Sequence, residues 1–312
     1  MHALIRLFRN RDFLLLLSVV LGLLAREGAR WTKTMVIPAL AVVMTVSIMG
    51  IPGSVFRSLR GLIGPSLIGL MLNYGLLSGL ILLLNSLLIQ DPSLKTGFII
   101  VLAVPPAVAV IPFTMLLHGD GPFSLIATIG CYLGALILMP LITIGFLGPE
   151  FVDREKVIMV MIELIILPLL ISRLLRFRGF SVKIEPYKGA ITNWGFFLVI
   201  YTMVGLNRSI FLDHPMTIIP VALVAVACTF LLGFGIEKIG RLWQTGPEKL
   251  TSLLLLGTQK NTGLAAGLAL TLFDDRTALP ATVSTIIMIF YFLWLNIKET
   301  GLGRIKKQGQ KL

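Results

Sequence analysis

Apolar runs of about twenty residues recur from one end of this chain to the other, and no other feature limits its fold so strongly. A hydrocarbon core of about 30 Å takes about 20 apolar residues per helical crossing, so each run is long enough for one crossing. In lipid every backbone N–H and C=O must be satisfied internally, which leaves helices as the form these runs can take. The runs predict spans at about 12–25, 32–50, 62–89, 95–117, 121–147, 156–173, 189–207, 216–236, 249–273 and 278–296. The first is short for a full crossing. Composition agrees: the 312 residues are 56% hydrophobic and 13% charged, against roughly a quarter charged in soluble domains. The expected fold class is an all-α integral membrane bundle, and a soluble enzyme is excluded.

The net charge of +12 would suggest nucleic acid in a soluble protein. Here the cations gather in short connections between apolar runs, where they orient the chain in the bilayer. Ten spans put Arg57, Arg60, Arg173, Arg176, Arg178, Lys183, Lys188, Lys238, Arg241 and Lys249 on the same side as both basic termini. A sparser set, including Arg26, Lys33, Lys95, Arg208 and Arg276, falls on the other. The richer side is cytoplasmic by the positive-inside rule, so both termini are expected there, in a bacterial plasma membrane. The start MHALIRLFRNRDF shows no small-residue cleavage site and reads as a retained cytoplasmic lead-in.

The connection GPEFVDREK at 148–156 divides the spans into five and five. Five is odd, so residues 1–150 and 151–312 would insert as two inverted five-helix repeats. In each half the fourth span has an unusual centre: VLAVPPAVAVIPFT at 101–114 and LLLGTQKNTGLAAGLA at 254–269, about half the chain apart. Paired interruptions of this kind point to a transport site, here two broken helices crossing near the bilayer midplane.

Pro105 and Pro106 each remove a backbone N–H and clash with the preceding turn, which favours a true break over a kink. Pro112 alone reads equally well as an ordinary kink. Thr258, Gln259, Lys260, Asn261 and Thr262 set five consecutive polar side chains deep in an apolar span. A central lysine facing lipid costs about 2.5–3.5 kcal/mol, so Lys260 must face protein, water or substrate. One reading pairs it with Glu163, the acid near the middle of another span. The other makes it a fixed or titrating positive charge at the transport site. Gly263, Ala266 and Gly267 supply the small residues that allow close helix approach. His118 sits at a span end and reads as interfacial. Cys131 and Cys228 lack the company of a metal or redox site, and no cofactor motif is present.

These stretches resemble the bile acid:sodium symporter family, a branch of the bile/arsenite/riboflavin transporter superfamily. VPPAVAVIPFTMLLHGDGPFSL is similar to the family's broken fourth span. LGTQKNTGLAAGLA is similar to its ninth-span Glu-x-x-x-Gln-Asn-Ser/Thr-Gly-Leu-Ala motif, and Asn73 matches a polar amide of the third span. The resemblance covers residues 30–297. It implies a panel domain of helices 1, 2, 6 and 7 and a core domain of helices 3–5 and 8–10. It also implies organic-anion substrates bound beside the crossover and two coupling sodium ions.

The sodium ligands are where this sequence departs. Leu256 replaces the motif's Glu, Lys260 its Gln, and Val110 and Ile111 the fourth-span ligands, leaving Asn73, Ser124, Thr128 and Asn261; Thr114 adds a further hydroxyl near the break. A hard cation needs several oxygen ligands. The expectation is a secondary transporter of a small organic anion, sodium-independent or coupled to protons, with the Lys260 ammonium in place of a sodium ion. A membrane sensor or scaffold that kept only the fold is the contrasting reading. An auxin- or arsenite-carrier-like exporter is a third, disfavoured for arsenite because no cysteine lies in the broken fourth span.

Overall fold

The computed structural model describes residues 11–49, 59–107, 109–148, 155, 159, 162–213 and 215–309. The lead-in at 1–10 and most of the 148–156 connection lie outside these. Among the described residues the regular structure is helical, with no strand and one isolated antiparallel bridge.

In chain order the helices are α1 (Arg11–Leu24), α2 (Arg26–Thr32), α3 (Val36–Met49), α4 (Leu59–Leu70), α5 (Ser78–Leu88), α6 (Pro92–Ala103), α7 (Val110–Leu116) and α8 (Gly121–Leu147). They continue as α9 (Leu167–Phe177), α10 (Phe180–Leu206), α11 (Arg208–Asp213), α12 (Pro215–Val226), α13 (Leu232–Leu242), α14 (Pro247–Thr258), α15 (Thr262–Leu272) and α16 (Leu279–Gly309). A 3-10 turn, Lys33–Met35, joins α2 to α3, and π-helical turns at Met71–Leu77 and Ala227–Leu231 join α4 to α5 and α12 to α13. Among the described residues five stretches are long and apolar enough to cross a membrane: Leu62–Leu88, Gly121–Leu147, Phe180–Leu206, Met216–Leu242 and Leu279–Lys298. The chain is an integral membrane protein by this character.

The spans expected at 95–117 and 249–273 are each two helices, α6 with α7 and α14 with α15, separated at 104–109 and 259–261. Local chemistry explains the first pair of ends. Asp91 caps α6 by accepting from the Leu94 N–H at 3.1 Å, with Pro92 at the first position. At the other end Val104 is extended, φ −72° and ψ 153°, because the ring of Pro105 disfavours helical backbone in the residue before it. Pro112 lies in the first turn of α7, where no intrahelical N–H bond is lost.

Three boundaries need correction, one being the span expected at 278–296, whose helix continues to Gly309. The span expected at 189–207 begins at Phe180, and the one expected at 216–236 ends at Leu242. Charged residues read as connections are helical turns that carry exposed side chains past the apolar stretch; Lys188 pairs with Glu185 on one such turn. Pro186 lies inside α10 without ending it.

α10 packs along α1 and α3, and α9 packs against α3. A second group, α4 to α8 and α12 to α16, builds the main core around Phe98, Ile100, Leu102, Ala265 and Leu268. α15 joins the groups: a Cβ at Gly267 would lie 3.1 Å from both Ile37 and Leu40, so its small residues admit α3 closely. At the same end Lys33 pairs with Asp275 at 2.7 Å and Arg276 with Asp91 at 2.6 Å, pinning the α15–α16 turn on both sides.

Gly97 of α6 abuts the same turn. A Cβ there would collide with the Thr277 carbonyl oxygen and lie 2.8 Å from the Pro280 ring. Backbone cannot yield as a flexible side chain can, so Gly97→Ala is expected to destabilise by about 3 kcal/mol, the upper range for overpacking. Thermal unfolding in detergent measures it, and an unchanged midpoint would show that the turn moves freely.

Candidate functional site

The two breaks cross each other in antiparallel sense. The Asn261 N–H donates to the Pro105 carbonyl at 2.9 Å, the Ala107 N–H to the Gln259 carbonyl at 3.4 Å, and Pro106 faces Lys260 in the isolated bridge. Breaking a helix orphans the carbonyls of its last turn, and in a buried site each needs a donor.

Side chains provide these donors. Lys260, 3% exposed, sends Nζ to the carbonyls of Leu102 at 2.9 Å and Val104 at 2.8 Å, at the end of α6. A cation there also meets the negative end of the α6 dipole. The Leu102 oxygen accepts a second bond from Ser78 Oγ at 2.7 Å. For α14 the donor is Asn73, fully buried, whose Nδ2 reaches the carbonyls of Leu256 at 3.0 Å and Gln259 at 3.2 Å. Asn261 begins α15: its Oδ1 accepts from the Leu264 N–H at 3.0 Å, and its Nδ2 donates to the Tyr132 hydroxyl at 2.9 Å.

Thr258 bonds back to the Leu254 carbonyl at 2.7 Å, and Thr262 lies 2.7 Å from the Thr285 hydroxyl. Gln259 is buried, its Nε2 3.4 Å from Thr258 and its Oε1 without a partner. Two small cavities flank the crossover. One, about 40 Å³, lies between α1, α10 and α16, with Leu15, Phe196, Met203 and Phe292 among its apolar walls and Lys260, Asn261 and Thr262 on its polar side. The other, about 30 Å³, is lined by Cys228, Thr229, Thr258 and Ser284. Lys260, Thr262 and Met288 form walls of both.

The structure thus gathers Lys260, Asn261, Gln259, Thr258, Thr262, Asn73, Pro105 and Pro106. It does not gather the rest of the sequence-derived set. Thr114 donates to Ser124 at 2.9 Å, a closed pair that lines neither cavity. Thr128 is buried with its hydroxyl unpartnered and lines neither. Glu163 is half-buried in a π-helical turn, Ile162–Ile166, that packs against α3, and no ion pair joins it to Lys260. The Glu163 partnership is corrected accordingly: backbone carbonyls, not a carboxylate, receive the Lys260 hydrogens.

Three site residues escaped the sequence reading: Tyr74, whose ring face lies 4.3 Å from Lys260 Nζ, Ser78 and Tyr132. Asn73, Tyr74 and Ser78 are all polar-tipped residues in one apolar run, which was the available signal.

At three of the positions to which the resemblance assigns sodium ligands, Leu256, Val110 and Lys260, the residues present do not fit a sodium ion, while Asn73 and Thr128 keep buried oxygens without a partner. Leu256 and Val110 are fully buried and aliphatic, and an ammonium already sits at the α6 carbonyls. Among the described residues no three His, Cys, Asp or Glu side chains cluster to hold another metal.

A model of the SBF-like CPA transporter family matches residues 13–299. No curated protein matches the chain.

Proposed function

The chain belongs to the SBF-like CPA transporter family, and on that premise we propose that it is a secondary active transporter of a small organic anion, working by alternating access with Lys260 as a resident cation. The observation that carries this reading is the Lys260 ammonium, buried and bonded to two carbonyls at the end of a broken helix. A sodium-coupled relative would need an ion at this kind of place, and here the chain supplies the charge itself. Transport is then independent of sodium, or coupled to a proton carried on Lys260. A scaffold would gain nothing from so costly a charge.

In the same proposal the ten expected spans form two inverted repeats, residues 1–150 and 151–312, each contributing one broken helix. α1 to α3, α9 and α10 act as the panel and the remaining helices as the core. Both termini are cytoplasmic in a bacterial plasma membrane. The 40 Å³ cavity between the two groups holds about one or two water molecules. An organic anion therefore needs the groups to separate, and the α3–α15 contact and the Lys33–Asp275 pair are what would part on one side.

Candidate carboxylates and bile-acid-like anions can be screened by thermal shift at two pH values, with and without sodium. Flux of a hit into proteoliposomes is expected to persist unchanged when sodium is replaced by potassium, and to respond to an imposed pH gradient if Lys260 titrates. Strict dependence on a sodium gradient would overturn the resident-cation reading.

A further inference from the structure

The π-helical turn Met71–Leu77, with Ser78 immediately after it, reaches the carbonyl ends of both broken helices. π turns are rare and concentrate at functional places because the extra residue changes which side chains share a face. Asn73 bonds the end of α14, Ser78 bonds the end of α6 and also the Asn73 carbonyl at 3.1 Å, and Tyr74 lies against Lys260.

The Tyr74 contact is through its ring face. Nζ sits 4.3 Å from the ring centroid, inside the distance over which the negative face of an aromatic ring attracts a cation. The Tyr74 hydroxyl has no hydrogen-bond partner, so it is the ring and not the polar tip that is employed. The Lys260 ammonium has three hydrogens and gives two to Leu102 and Val104. No carboxylate pairs with it among the described residues; the other titratable groups near this corner are the Cys131 thiol and the Tyr132 phenol, both on α8. The ring face is thus what meets the remaining charge.

We propose that Tyr74 is the positioning residue of the crossover: its ring face holds the charged Lys260 side chain at the end of α6. The consequence for transport rests on the function proposed above; the contact itself does not.

The experiment places phenylalanine and then 4-fluoro-, 3,5-difluoro- and 3,4,5-trifluorophenylalanine at position 74. Fluorine drains electron density from the ring face with little change of shape, so a purely space-filling role would not respond. Melting temperature in detergent and anion flux in proteoliposomes are read for each. Tyr74→Phe is expected to keep both. Along the fluorinated series the melting temperature should fall steadily, by about 3 °C in all, and flux by roughly tenfold. In a Lys260→Met background the melting series should be flat. A flat series in the wild-type background, or an equal slope without Lys260, overturns the proposal. If the Lys260-dependent slope in melting temperature is present but the unmodified protein moves no anion, the positioning role stands and the transport reading fails.

Discussion

Lys260→Met is expected to lower organic-anion flux by about a hundredfold or more, a loss of roughly 2.7 kcal/mol in the rate-determining barrier, while barely moving the melting temperature. Methionine keeps most of the length and volume of the stem and removes the charge and all donors. Two stability effects then oppose each other. The Val104 carbonyl loses its bond to Nζ, and an unsatisfied buried acceptor costs about 1–3 kcal/mol; Leu102 keeps Ser78. Against this, the protein no longer buries a cation without a countercharge, a penalty of several kcal/mol. The net change in stability is small because the terms are similar in size, whereas the loss of positive charge beside the anion has no compensation. Flux and thermal unfolding measured on one preparation test both halves. Normal flux would reduce Lys260 to a structural cap.

Asn73→Leu is expected to behave in the opposite way, with stability falling first. Leucine has the same branching as asparagine, with larger terminal groups, but donates nothing, so the Leu256 and Gln259 carbonyls both lose their bonds in a fully buried setting. At about 1–3 kcal/mol for each stranded acceptor, and with no buried charge relieved, the expected cost is about 3 kcal/mol. That lowers the melting temperature by about 5 °C for a chain of this size. Unfolding followed by tryptophan fluorescence would show it, and a change under 2 °C would mean that α14 does not need this cap.

The contrast between these residues explains how much could be read beforehand. Lys260 and the Pro105–Pro106 pair stand out in sequence because each breaks a strong local rule: no lysine at the centre of an apolar span, no adjacent prolines inside a helix. Their partners break none. Tyr74 and Ser78 are ordinary residues in a membrane helix, and a π-helical turn is decided by what packs around it rather than by local propensity. Pairing Lys260 with Glu163 applied the rule that buried charges find opposite charges. That rule overlooked a donor-hungry backbone, since a broken helix exposes carbonyls that only its own fold creates. The ends of α10 and α13 were misread for a simpler reason: charge marks where the apolar stretch stops, and a helix can continue beyond it.

On the sodium-independent form of the proposed function, in which Lys260 stays charged throughout, its hydrogen bonds to Leu102 and Val104 tether a positive charge to the crossover. On the proposed cycle, a monovalent anion bound beside it makes the loaded crossover electrically neutral, so the loaded passage is indifferent to membrane voltage. The empty passage carries an unneutralised ammonium, and each elementary charge moved through 100 mV is worth about 2.3 kcal/mol. Voltage would thus act on the return of the vacant carrier, speeding it toward the negative side and slowing it the other way. Two coupling sodium ions carried with a monovalent anion would leave one net positive charge on the loaded step and place that dependence there instead.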